Sequence, residues 1–261
     1  MRLFLLAVLL SLSVCALAQG EQQGLVQKPM ATSGAHPAVQ KAEELERQAK
    51  TFTYASRHAS ALQLRLEALA LFEKAFGPDN LAVVQTLLNL AQSYSYLAQQ
   101  NSALPLHQRA LSIREGVLGP EHPDTAGALN NLAFTYSKLA QHEKALPLLI
   151  RSLAIYEKGL GPEHPNTALS LHNLASTYSA LAQHDKALPL KQRALAIREK
   201  VLGPEHPDTA KSLNNLAFTY SELAQHDKAL PLQLRALAIR EKVLGPENPD
   251  TAVAFNNLAL T

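Results

Sequence analysis

Tryptophan is absent, and phenylalanine, tyrosine and tryptophan together make only 5% of the 261 residues, which argues against a base-stacking platform for single-stranded nucleic acid. Neither sign of charge predominates. Lys and Arg number 24 against 22 Asp and Glu, a formal +2 with the signs interspersed, so nothing concentrates the positive charge that a phosphate backbone requires. A single cysteine, Cys15, cannot close an internal disulfide or build a thiolate metal site. No Gly-rich phosphate loop follows a strand, no serine sits in a nucleophile elbow, and no cysteine is placed as a nucleophile. The one long apolar run, residues 3–14, is too short to cross a bilayer, which takes about 20 residues.

That run has another reading. Met1-Arg2 supplies positive charge, residues 3–14 an apolar stretch, and Ala16-Leu17-Ala18 the small-x-small pattern of a cleavage site. Residues 1–18 are therefore expected to be a signal peptide cut after Ala18, and the chain to be exported, periplasmic or secreted. Leu12-Ser13-Val14-Cys15 also resembles a bacterial lipobox, with Val14 bulkier than the residue usual there, so lipid anchoring at Cys15 is the less favoured expectation. Residues 19–35 are rich in Gln, Gly and Ser with no hydrophobic period, and read as a flexible linker.

The remainder is periodic. Leu118-Gly119-Pro120-Glu121-His122-Pro123-Asp124-Thr125-Ala126 returns at 160–168 with Asn166, at 202–210 unchanged, and at 244–252 with Asn248. A worn copy, Phe76-Gly77-Pro78-Asp79-Asn80, precedes them, so glycines fall at 77, 119, 161, 203 and 245, always 42 residues apart. A fixed period of this size means stacked structural repeats. The units are expected at about 36–76, 79–118, 121–160, 163–202 and 205–244, with a partial sixth at 247–261 that is either a minimal cap or the start of a longer array.

Each unit reads as two helices. Gly119 can take positive φ at a helix end, Pro120 stops continuation, Pro123 suits a first helical position, and Asp124 places negative charge where the helix dipole favours it. Leu129, Leu132, Ala133 and Tyr136 then form an i, i+3, i+4, i+7 stripe, ending near residues 139–142. A second helix carries Ala145, Leu146, Leu149, Leu153 and Ile155, with its start near 143 so that Pro147 falls in or just beyond the first turn. The fold class is all-α.

Leu129, Leu132, Ala133, Tyr136, Ala145 and Leu149 match the spacing of the tetratricopeptide signature, with Leu for Trp and Ala for the first Gly. The 42-residue length and the Leu-Asn-Asn-Leu-Ala box resemble the kinesin-light-chain subfamily of these repeats. The resemblance covers residues 36–261 and implies a right-handed superhelix, an α-solenoid of about five helix-turn-helix repeats whose first helices line a concave face. It also implies a protein or peptide partner, no cofactor and no enzymatic activity.

Asn89, Asn131, Asn173, Asn215 and Asn257 share one register; Asn130, Asn214 and Asn256 precede three of them, with Leu88 and His172 at the other two sites. A carboxamide both donates and accepts, so a ladder of them can hold an extended peptide backbone while reading little of its sequence. The alternative is that one asparagine of each pair ties helix to helix. The expected groove comprises Asn89, Asn130, Asn131, Phe134, Lys138, His172, Asn173, Asn214, Asn215 and Phe218. Histidines at 122, 164, 206 and at 142, 184, 226 are expected in turns and caps, because stacked loops spread them along an edge and a metal needs convergent ligands. Arg109, Arg151, Arg193 and Arg235, with Arg114, Arg198 and Arg240, read as solvated outer faces making ion pairs. The function expected is a non-catalytic exported scaffold. The alternatives are the recruiting arm of a larger exported enzyme continuing past Thr261, and self-association through the last helix.

Overall fold

The computed structural model describes residues 37–259, and the signal-peptide and linker expectations lie outside them. The described residues form eleven helices: α1 (Pro37–Tyr54), α2 (His58–Phe76), α3 (Leu81–Tyr96), α4 (Gln100–Leu118), α5 (Pro123–Lys138), α6 (His142–Gly159), α7 (Pro165–Ala180), α8 (His184–Leu202), α9 (Pro207–Glu222), α10 (His226–Leu244) and α11 (Pro249–Ala259). Helices adjacent in the chain pack together, and five antiparallel pairs stack into an α-solenoid with α11 at its end.

The repeated nonapeptide explains every junction between pairs. Gly119 sits at φ 95, ψ 161, a region open essentially to glycine alone, and Gly77, Gly161, Gly203 and Gly245 share its positive φ. Thr125 Oγ1 donates to the Gly119 carbonyl at 2.8 Å, closing the loop, and Thr167, Thr209 and Thr251 repeat that bond. His122 is the N-cap of α5: its Nδ1 accepts from the Asp124 amide at 3.1 Å, as do His164 and His206 for α7 and α9. In the worn copy Asn80 does this with Oδ1, accepting from Ala82 at 2.9 Å. Asn and His are interchangeable here because each places an acceptor two bonds beyond Cβ. The prolines of the second helices, Pro105, Pro147, Pro189 and Pro231, lie just beyond the first turn, where each removes one backbone bond.

Within each pair the turn closes on a different device. The Gln141 amide reaches back to the Tyr136 carbonyl at 2.9 Å and that of Ala140 to Ser137 at 3.0 Å, a Schellman closure. Ala140 is consequently left-handed at φ 56, and Ala98, Ala182 and Ala224 match it. That conformation costs an L-residue roughly 1–2 kcal/mol. Glycine removes the cost and returns part of it as unfolded-chain entropy. Ala140, Ala182 and Ala224 are exposed, so no packing is lost. The triple variant A140G/A182G/A224G should gain roughly 1–2 kcal/mol, a rise in Tm of about 4 °C by calorimetry.

The core is one strip of equivalent positions. Leu87, Leu129, Leu171 and Leu213 are fully buried on the first helices, and Ile113, Ile155, Ile197 and Ile239 meet them from the second. Outside this strip Arg151 Nη1 pairs with Glu115 Oε1 of the preceding repeat at 2.6 Å, and Arg109–Glu73, Arg193–Glu157 and Arg235–Glu199 copy it. These pairs are partly exposed and each adds under about 1 kcal/mol. Arg114, Arg198 and Arg240 correct the sequence reading, since they are not solvated. Arg114 Nη1 donates to the Asp124 carbonyl at 2.7 Å, Arg198 to the Ser212 hydroxyl, and Arg240 is buried. Burial pushes the pKa of Arg114 and Arg198 below the usual arginine value.

Candidate peptide-binding groove

The asparagine registers lie on the first helices α3, α5, α7 and α9, and the two differ in what they do. Asn130 is 6% exposed. Its Nδ2 donates to Ser152 Oγ on α6 at 2.7 Å, so it ties the two helices of its repeat and is not a groove-lining side chain, a correction to the expectation. Asn214 also ties the helices of its repeat, since with its amide turned over its oxygen accepts from both Arg240 Nη atoms at 3.1 Å, but unlike Asn130 it lies in a cavity wall.

The other register reaches backward along the array. Asn89 Nδ2 donates to Glu46 Oε2 at 3.0 Å, and Asn173 Nδ2 to Asn130 Oδ1 at 3.3 Å, each 43 residues upstream. The same step from Asn131 leads to Leu88, which has nothing to accept, and from Asn215 to His172. Among the described residues neither the Asn131 nor the Asn215 carboxamide bonds to another side chain. The ladder thus has closed rungs at 89 and 173 and open rungs at 131 and 215. The side chain of Asn257 lies outside those described.

Two cavities open beside this ladder. One of about 860 Å³ runs between α7 and α9, with His172, Asn173, Asn214, Asn215 and Phe218 in its wall and Arg198 and Arg240 behind them. A smaller one of about 290 Å³ lies between α5 and α7, bounded by Phe134, Lys138, His172 and Asn173. They share His172 and Asn173. Phe134 and Phe218 are 49% and 54% exposed, large apolar rings facing solvent at equivalent positions. A cation lies over each, Lys138 Nζ at 5.2 Å and Lys191 Nζ at 6.0 Å from the ring centre. Asn89 and Asn131 border neither cavity.

Beneath the ladder is a register that sequence reading missed: Arg65, His107, Leu149, Lys191 and Gln233, all buried on the second helices. Three of its members bond to a hydroxyl 28 residues on, in the next repeat. Arg65 Nη1 meets Ser93 Oγ at 2.5 Å, His107 Nδ1 meets Thr135 Oγ1 at 2.8 Å, and Lys191 Nζ meets Thr219 Oγ1 at 2.5 Å. Those hydroxyls in turn donate to the backbone carbonyls of Asn89, Asn131 and Asn215. The constant spacing was the available signal; the changing residue type concealed it. Burial lowers His107 to about 4 and Lys191 to about 8. Burial, then the cations Arg198 and Lys191, lower His172 to about 4.

A family model described as tetratricopeptide repeat matches residues 42–116, 96–158, 124–200, 181–242 and 212–261. The chain belongs to the tetratricopeptide repeat family. Among solved structures, this tetratricopeptide array is similar to a kinesin light chain with nearly identical TPR-like repeats from Podosopora anserina, at 28% identity and TM-score 0.69, over 80% of this chain and 98% of that one. It is also similar in fold to BtubC (BKLC) from P. vanneervenii, at 24% identity and TM-score 0.63, covering 81% and 92% of the two chains. A Rap protein complexed with Competence and Sporulation Factor shares the fold at 16% identity and TM-score 0.64, over 87% of this chain and 66% of that one. No curated protein sequence matches the chain. Among the described residues no helix is long and apolar enough to cross a membrane, and no group of His, Cys, Asp or Glu is placed to hold a metal ion.

Proposed function

We propose that this array is a non-catalytic exported scaffold that holds an extended peptide or protein segment over α5, α7 and α9. The carrying observation is that the two cavities lie side by side, sharing His172 and Asn173 in their walls, with Phe134 in one and Phe218 in the other. Open carboxamides at Asn131 and Asn215 supply backbone-directed donors and acceptors, and the exposed rings supply apolar contact. Helix packing fixes these groups before a ligand arrives, which lowers the ordering cost of binding. A Rap protein of the same fold is complexed with a factor, so the architecture accommodates a bound molecule.

The test is selection from a displayed random-peptide library, followed by titration of the enriched peptides. N131A/N215A should weaken them about tenfold, two hydrogen bonds at roughly 0.5–1.5 kcal/mol each, with the helical CD signal unchanged. Equal affinity for the variant removes the groove reading. Export is checked on the same material: protein recovered from the exported fraction should begin at Gln19, and one beginning at Met1 removes that part.

A further inference from the structure

The contacts that join one repeat to the next are chemically unequal. At the buried register, repeat one presents Arg65, repeat two His107, repeat three Leu149 and repeat four Lys191. Only one of these changes from neutral to charged when a neutral solution is acidified. His107 is 7% exposed on α4 and faces α5. Thr135 Oγ1 lies 2.8 Å from His107 Nδ1 and 3.2 Å from the Asn131 carbonyl, so either the ring Nδ1–H donates to the hydroxyl or the hydroxyl donates to Nδ1. In either tautomer a second ring proton would create a buried cation.

Nothing nearby compensates such a charge. The titratable groups on the packed helices are Tyr94 and Tyr96 of α3, Asp124, Tyr136 and Lys138 of α5, and Arg109, Arg114 and Glu115 of α4 itself. None of them shifts the ring; burial alone does. Arg109 is engaged with Glu73, Arg114 with the Asp124 carbonyl, Glu115 with Arg151, and Lys138 lies over Phe134. A buried charge without a partner is expelled by opening the structure around it.

We infer that the seam between α4 and α5 is an acid-released latch: protonating His107 loosens repeats one and two from repeats three to five. The inference stands on packing alone and does not require the proposed ligand. Cations at two sister positions are compensated, Arg65 by Glu46 and Lys191 by the Ser179 and Thr219 hydroxyls and the Phe218 ring, whereas His107 meets one hydroxyl; Leu149 and Gln233 show that a neutral residue is compatible with the fold.

The experiment is hydrogen exchange read by mass spectrometry at pH 7.0 and 5.0, corrected for intrinsic rates, on the wild type, H107Q and H107L. In the wild type, protection over residues 100–138 should fall about twentyfold more than over residues 58–76, because a ring held at about 4 inside and near 6.5 when open shifts the opening equilibrium by that factor. H107Q and H107L should lose less than about threefold, with protection at pH 7.0 near that of the wild type. Two variants guard against one failing to fold. Undiminished wild-type protection at pH 5.0, or the same acid loss in a folded variant, overturns the latch.

Discussion

Replacing Arg65 with leucine should remove about 3 kcal/mol or more from the N-terminal end of the array, the usual cost of leaving one buried charge without its partner. Arg65 is 4% exposed, and its Nε lies 3.6 Å from Glu46 Oε2. The same guanidinium bonds to Ser93 Oγ and to the Asn89 carbonyl. Burial is the largest influence on both partners, lowering Arg65 and raising Glu46, so each charge is held against its desolvation by the other. R65L leaves Glu46 with only the neutral Asn89 and Thr86 side chains as partners. The loss should appear in urea melts and as faster exchange over residues 37–96. The double variant E46L/R65L should recover to within about 1 kcal/mol of the wild type, since an apolar pair of similar volume is often neutral or better. A single-variant loss under about 1 kcal/mol would mean that the pair is effectively solvated.

Acid should destabilise the whole array before its carboxylates titrate. His107 and His172 are held neutral down to about 4, whereas in an unfolded chain they take protons near 6.5. Above pH 6.5 both states are neutral and stability is complete. As pH falls the unfolded chain binds protons first, so stability drains away until about pH 4, where the folded rings charge as well. His107 accounts for about 3 kcal/mol and the less buried His172 for about 2. His164, also lowered by burial, acts in the same direction. Glu46 acts oppositely: its pKa is raised by burial, so its protonation favours the folded state in acid. Urea melts from pH 7.5 to 4.5 should show the fall, and H107Q/H172N should flatten most of it. Asn already occupies the His172 register at Asn130 and Asn214, which protects the fold of that variant. A wild-type profile level between pH 6.5 and 4.5 would show that both rings reach water.

The helical pairs were readable because Gly119, Pro123 and the Leu129–Tyr136 stripe act locally, through φ, a missing amide and one apolar face, and each acts alike at every copy. The capping histidines were readable for the same reason. What escaped was set across helices. Asn130 and Asn131 look equivalent in sequence, yet a rotation of one residue turns the first onto Ser152 and leaves the second without a side-chain partner among the described residues. Arg114, Arg198 and Arg240 lie next to glutamates that suggest a solvated face, and only the approach of the following first helix buries them. The register from Arg65 to Gln233 changes chemical type at each step, so no residue pattern marks it; only the repeat interface does. Ala140 hid in the opposite way, since alanine gives no hint of a left-handed turn.

The alternation of rungs gives the array a period of two repeats where the chain has one. Under the proposed function a short ligand would engage Asn131 or Asn215 singly, whereas one spanning the closed rung at Asn173 would be captured at both ends and gain avidity from the second. On that proposal ligand length, more than side-chain identity, would set residence time on this surface.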